Sequence, residues 1–123
     1  MTNVNTQTGK EAEDYAQNFL ITQGLRTVAR NVCCRYGEID IIMEQGITVV
    51  FVEVRLRAQK GLQTGASSVS YRKQQRLIKT ASLVIQRMPE LQGRPVRFDV
   101  IAYDTLQKNR VPHWIQQAFD ASN

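Results

Sequence analysis

The chain has 123 residues, 42% of them apolar, which suits one domain (1–123) around one core. No apolar run approaches the roughly 18 residues of a membrane span, and the polar start MTNVNTQTGKEAED lacks the apolar centre of an export signal, so a cytoplasmic protein with no membrane partner is expected. Sixteen basic side chains against eleven acidic ones leave a formal charge of +5, which favours a polyanionic partner such as nucleic acid.

In chain order, residues 1–8 read as a flexible lead-in. Thr8 then caps a first helix, with Glu11 completing a capping box. Ala12, Tyr15, Ala16, Phe19 and Leu20 recur at helical spacing as its apolar stripe, and Gly24 ends it. Glu13 falls at the edge of that stripe, beside Ala16 and Leu20, so it looks along the core surface. Leu25–Asn31 is a short strand or an extended link. Cys33 and Cys34 are adjacent and lack the paired spacing of a zinc site, which leaves two reduced thiols.

Tyr36–Glu44 and Thr48–Arg57 read as two strands of an antiparallel hairpin, turning at Gln45-Gly46. In that register Glu44 faces Ile47 and Asp40 faces Phe51. Even-numbered residues of the first strand then share a face with odd-numbered residues of the second. That parity puts Glu38 and Asp40 with Glu53 and Arg55, and leaves Ile39, Ile41, Val50, Val52 and Val54 as the core face.

Ala58–Ser70 is a loop rich in Gly, Ser and Gln. Ser70 caps a second helix that runs to about Met88, where Pro89 stops it; Leu77, Ile78, Ala81, Val84, Ile85 and Met88 form its stripe. Lys73 and Gln74 extend that stripe into the first turn, while Arg72 and Lys79 face away. Pro95–Tyr103 is a further strand with Arg97 and Asp99 on one face, and Trp114–Ala121 reads as a short terminal helix. This order predicts an α/β sandwich, a central mixed β-sheet flanked by helices. The helical crossover would set Pro95–Tyr103 parallel to the strand carrying Glu53.

The chemistry concentrates on one face. Asp40, Glu53 and Arg55 share it, and Glu13 and Lys73 arrive from the two helices. Converging carboxylates repel unless a cation sits between them. A hard divalent cation such as Mg²⁺ suits oxygen ligands and activates water against a phosphate. From Arg55 to Lys79 the chain holds Arg55, Arg57, Lys60, Arg72, Lys73, Arg76 and Lys79 and no acidic residue, a block suited to a phosphate backbone.

Asp40 followed by Glu-x-Arg on the next strand approximates the PD-(D/E)xK nuclease signature. Gly9 with Glu13, then Asn31, GEID at 37–40, FVEVR at 51–55, Lys73-Gln74 and RFDV at 97–100 together resemble the YraN family of bacterial endonuclease-like proteins, from about Gly9 to Phe119. The resemblance implies a restriction-endonuclease-like fold similar to archaeal Holliday-junction resolvases. It implies a metal-dependent endonuclease on DNA, with structured or branched DNA among its candidate substrates. Asp40, Glu53 and Glu13 would hold Mg²⁺ or Mn²⁺; Arg55 would stand where the superfamily has its catalytic Lys; Lys73 and Gln74 would meet phosphate or support the site. Nucleic acid would be bound by Arg55, Arg57, Lys60, Arg72, Lys73, Gln74 and Arg76. Resolvase-like relatives often dimerise, so a homodimer is among the implied assemblies.

Arg55 departs from the superfamily pattern. Arg stays protonated and cannot act as a base, although it can fork onto a phosphate. A nucleic-acid-binding module that no longer cuts is therefore the second reading. A protein–protein adaptor is the third, and it needs a large exposed apolar patch.

Overall fold

In the computed structural model, the described residues are 4–57, 69–104 and 112–121. They form α1 (Val4–Thr22), β1 (Arg26–Cys34), β2 (Gly37–Gln45), β3 (Thr48–Arg57), α2 (Tyr71–Arg87), β4 (Val96–Asp104) and β5 (His113–Phe119). The strands make one mixed sheet in the order β1-β2-β3-β4-β5, with β3 and β4 parallel and the other neighbours antiparallel. The expected α/β sandwich is what the chain adopts.

Each helix covers one face. Ala12, Ala16 and Leu20 of α1 pack on Ile41, Met43, Val50, Val52, Ile101 and Tyr103. Leu77, Ala81 and Val84 of α2 pack on Ile42, Val49, Phe51, Phe98 and Val100. The central strand β3 is therefore buried on both sides, as its nearly continuous apolar run requires. Ser70 caps α2 by accepting the N–H of Lys73, and Pro89 opens a single 3₁₀ turn where the helix stops.

Four expectations need correction. α1 begins at Val4, so Thr8 lies inside the helix and is not its cap; a helix nucleated by the apolar stripe propagates through any residue that keeps its N–H and avoids a ring clash. The short strand or extended link expected at Leu25–Asn31 is a strand, but a longer one: β1 runs nine residues, to Cys34. Ile39 packs beneath α2 and not beneath α1 with Ile41. The terminal segment is a strand and not a helix. Its half-buried residues Trp114, Ile115, Ala118 and Phe119 do repeat at i and i+4. A bulge causes this: β4 advances from Phe98 to Val100 while β5 retreats from Phe119 to Ile115. Gln117 in the bulge takes φ 50°, and its N–H goes to Asp99. The loop expected at Ala58–Ser70 lies largely outside the described residues, as does most of the stretch between β4 and β5.

Candidate active site at the fork between β2 and β3

The hairpin turns at Gly46-Ile47, one residue later than expected, with Gly46 at φ 60°. Gln45 pairs with Thr48 and Ile41 with Val52. The parity argument survives, because the slip is by two residues. Its consequence is larger than the parity: Phe51 now pairs with Ile42, and the register, continued past Ile41 and Val52, leads Asp40 toward Glu53.

The ladder between β2 and β3 stops at Ile41 and Val52. Beyond it, β2 stays paired to β1 through Ile39, Glu38 and Gly37. β3 stays paired to β4 from Glu53 to Arg57. The strands part like a fork, and the two carboxylates sit at the split. Asp40 partly repairs it by accepting the N–H of Val54 on Oδ2 at 2.8 Å. The same divergence carries Ile39 over to the α2 side.

Glu53 is only 6% exposed. A buried carboxylate needs a cation, and α2 supplies it: Lys73 Nζ lies 2.9 Å from Glu53 Oε2, with Arg55 Nη1 at 3.8 Å. Among the described residues no cation pairs with Asp40, and it is pushed up to about 7. Burial is the largest cause, then the charge of Glu53; the Val54 N–H opposes them, and Glu13 and Glu38 add to the rise.

A cleft of about 180 Å³ opens on this pair, lined by Tyr36, Gly37, Glu38, Asp40, Glu53, Lys73, Arg76, Leu77 and Thr80. Its floor is acidic and its α2 side basic. Gly37 takes φ 152°, a backbone that L residues rarely adopt, and so admits the chain from the β1–β2 turn onto the floor. Thr80 is fully buried there, its hydroxyl donated to the Arg76 carbonyl.

Glu13 belongs to a neighbouring cleft of about 480 Å³, lined by Gly9, Lys10, Glu13, Arg30, Asn31 and Glu38. Arg30 Nη2 reaches it at 3.3 Å, and Asn31 donates its amide both to Glu13 at 3.0 Å and to Glu38 at 3.2 Å. Glu38 lines both clefts. The structure thus brings Asp40, Glu53, Arg55 and Lys73 together and sets Glu13 one step away, near enough to act on Asp40 through its charge. Among the described residues no three His, Cys, Asp or Glu side chains are grouped closely enough to hold a metal.

Of the residues expected to meet nucleic acid, Lys73 and Arg76 line the cleft, and Arg55 is half-buried with Nη1 3.8 Å from Glu53. Arg72 is exposed on the first turn of α2. Gln74 turns back, donating to the carbonyl of Val69, and so holds the chain entering the helix. Lys60 and the side chain of Arg57 lie outside the described residues.

Sequence reading passed over Tyr36, Thr80 and Arg30. Thr80 had a signal, being a polar residue one turn beyond Arg76 in the buried stripe. Arg30 had none, because its bond to Asp14 at 2.6 Å depends on how β1 passes α1.

The fold and site define a small α/β protein whose mixed sheet splits to present a carboxylate pair beneath a lysine. The profile of the family described as "Uncharacterised protein family UPF0102" matches residues 12–103. A UPF0102 protein of Pseudomonas syringae pv. syringae is 45% identical over 116 residues, 94% of each chain. Another, from Methylobacillus flagellatus, is 44% identical over 115 residues, 94% of this chain and 98% of its own. The chain belongs to the UPF0102 family, the YraN-like group. No helix among the described residues is long and apolar enough to cross a membrane.

Proposed function

We propose that the protein is a metal-dependent endonuclease that hydrolyses phosphodiester bonds in DNA. The observation that carries this reading is the fork: it brings Asp40 and Glu53 into one cleft, with Lys73 on Glu53 and no cation paired to Asp40 among the described residues. The donor set fits Mg²⁺ or Mn²⁺, since Mg²⁺ is commonly held by one or two carboxylates with waters completing its shell. Asp40, raised to about 7 partly by its acidic neighbours, is a carboxylate that a nearby cation would relieve.

A divalent cation would be held by Asp40 and Glu53 and would supply polarisation of a phosphate oxygen and a more acidic water. The chain's own residues supply the rest. Lys73 pairs with Glu53 at 2.9 Å and fixes its direction. Arg55, half-buried and 3.8 Å from Glu53, would fork onto a phosphate and offset developing negative charge. Arg76 extends the cationic side of the cleft along α2, where a phosphate backbone would lie.

The test is purified protein with Mg²⁺ or Mn²⁺ on linear, flapped and four-way DNA. Cleavage is expected, and is expected to vanish in Asp40→Asn and Glu53→Gln. Cleavage that survives both changes would place the activity elsewhere.

A specific observation favours a second reading, DNA binding without cutting. Glu53 already has two cationic neighbours, and neither Arg55 nor the ion-paired Lys73 is a free base. This reading predicts salt-dependent DNA binding, weakened by changes at Lys73 and Arg76, and no heat of Mg²⁺ or Mn²⁺ binding in calorimetry.

A further inference from the structure

The β1–β2 turn places an aromatic ring at the mouth of the cleft. Tyr36 immediately precedes the GEID segment, lines the same cleft as Asp40, Glu53 and Lys73, and keeps 37% of its surface exposed. It is the one aromatic residue among those lining the cleft, counted over the described residues. No core requires it, and it joins neither apolar cluster. What surrounds the ring is positive charge. The Arg35 guanidinium lies 5.1 Å from the ring centre and Lys79 Nζ lies 5.8 Å from it. These contacts join the turn to the exposed side of α2, the side away from its apolar stripe.

An exposed ring set among cations, beside a cleft with cations on its α2 side, is the arrangement that binds single strands. Cations track the phosphates, and the ring offers a face to a base. The cleft's size and depth add a reason. At about 180 Å³, with Glu53 almost fully covered, it has room for a strand's phosphate and sugar but not for the body of a duplex. A backbone that bends down to the carboxylates must let the neighbouring base leave its stack, which costs least where that base is already unpaired. Tyr36 stands where such a base would emerge.

We infer that Tyr36 is a stacking platform for an unpaired nucleobase, flanked by phosphate contacts from Arg35 and Lys79, and that the protein selects single-stranded nucleic acid or the unpaired part of a junction. This deepens the nuclease reading and rests on the same cleft, but stacking itself needs neither cation nor turnover. An approaching base displaces exposed cation–π contacts, which are weak, and the freed cations turn to the phosphates on either side.

The experiment uses the full chain in EDTA. The probe is an oligonucleotide carrying a fluorescent adenine analogue whose emission is quenched by stacking, offered single-stranded, as a blunt duplex and as the unpaired arm of a flapped duplex. Quenching and tighter binding are expected for the single strand and the flap. Tyr36→Ala should abolish the quench and weaken both by about tenfold, while Tyr36→Phe retains both. Blunt-duplex affinity should be the same in all three proteins. A ribose version of the probe separates RNA from DNA as the preferred strand. Single-strand binding unchanged by Tyr36→Ala, or lost equally in Tyr36→Phe, overturns the platform even if the protein cuts DNA. Quenching without any cleavage in Mg²⁺ or Mn²⁺ overturns the nuclease reading and leaves the platform standing.

Discussion

Removing the charge of Asp40 should stabilise the cation-free protein, by an amount that grows as pH rises from about 4 to 7. In the fold the carboxyl titrates near 7, against 3.8 ordinarily. The folded chain therefore binds a proton that the unfolded chain has released, and between about pH 4 and 7 stability falls as pH rises. The difference corresponds to roughly 4 kcal/mol at pH 8, an upper figure because Asp40 and Glu53 share the repulsion. Asp40→Asn keeps an oxygen for the Val54 N–H and loses the charge. In EDTA at pH 8 it should be more stable than the wild type by about 2–4 kcal/mol, or roughly 8–16 °C in Tm at about 4 °C per kcal/mol. At pH 5 the gap should shrink to less than half, and below about pH 4, where the unfolded chain keeps its proton too, it should nearly close. Thermal unfolding followed by circular dichroism across that range measures both. Adding Mg²⁺ at pH 8 should raise the wild-type Tm and leave the Asn variant where it was. A stability difference that does not change with pH, or an Asn variant less stable at pH 8, would refute the reasoning about the fork.

Asp99 is buried and accepts from Arg97 at 2.9 and 3.0 Å, from the Trp114 indole and from the Gln117 N–H. Asp99→Ala should cost about 3–5 kcal/mol in urea unfolding and shift the emission of Trp114, the chain's single tryptophan, as β5 loosens. Lys73→Met leaves the buried Glu53 with the more distant Arg55 alone; it should cost about 1–3 kcal/mol by denaturation and weaken DNA binding in a salt titration. Gly37→Ala meets nothing closer than Thr80 Oγ1 at 3.6 Å, so its cost is backbone strain of about 1–3 kcal/mol, read as a lower urea midpoint with an unchanged slope.

The sheet and both helices were legible because their signals are local: the apolar stripes of α1 and α2, the Ser70 cap, the Pro89 stop and the near-continuous run of β3. The face carrying Glu53 and its pairing parity were legible as far as Ile41, since parity survives a slip of two. The register was not, because Gln45-Gly46 and Gly46-Ile47 are both acceptable turn positions. Nothing in the sequence states that β2 and β3 separate after Ile41, and that separation decides where Asp40 and Ile39 point. The terminal strand was hidden for a related reason: its bulge is created by Asp99, a partner on another strand, and it imposes a helical repeat on extended chain. The tie from Asn31 to both Glu13 and Glu38 likewise depends on three elements meeting.

Gln117 has a counterpart at the opposite border of the sheet. It and Asn31 are the two non-glycine residues with positive φ among those described, and they lie on β5 and β1, the outermost strands. Each of these strands also breaks register against its inner neighbour, between Thr27 and Ala29 on β1 and opposite Phe98 and Val100 on β5. An outermost strand normally offers a row of unpaired amides to any extended chain that drifts past. Here both rows are interrupted, so the sheet is a poor template for adding a sixth strand from a neighbouring molecule. Two copies of this chain that pair should do so through helices or side chains, not by continuing the sheet. The same kinks guard the folded protein against edge-to-edge aggregation.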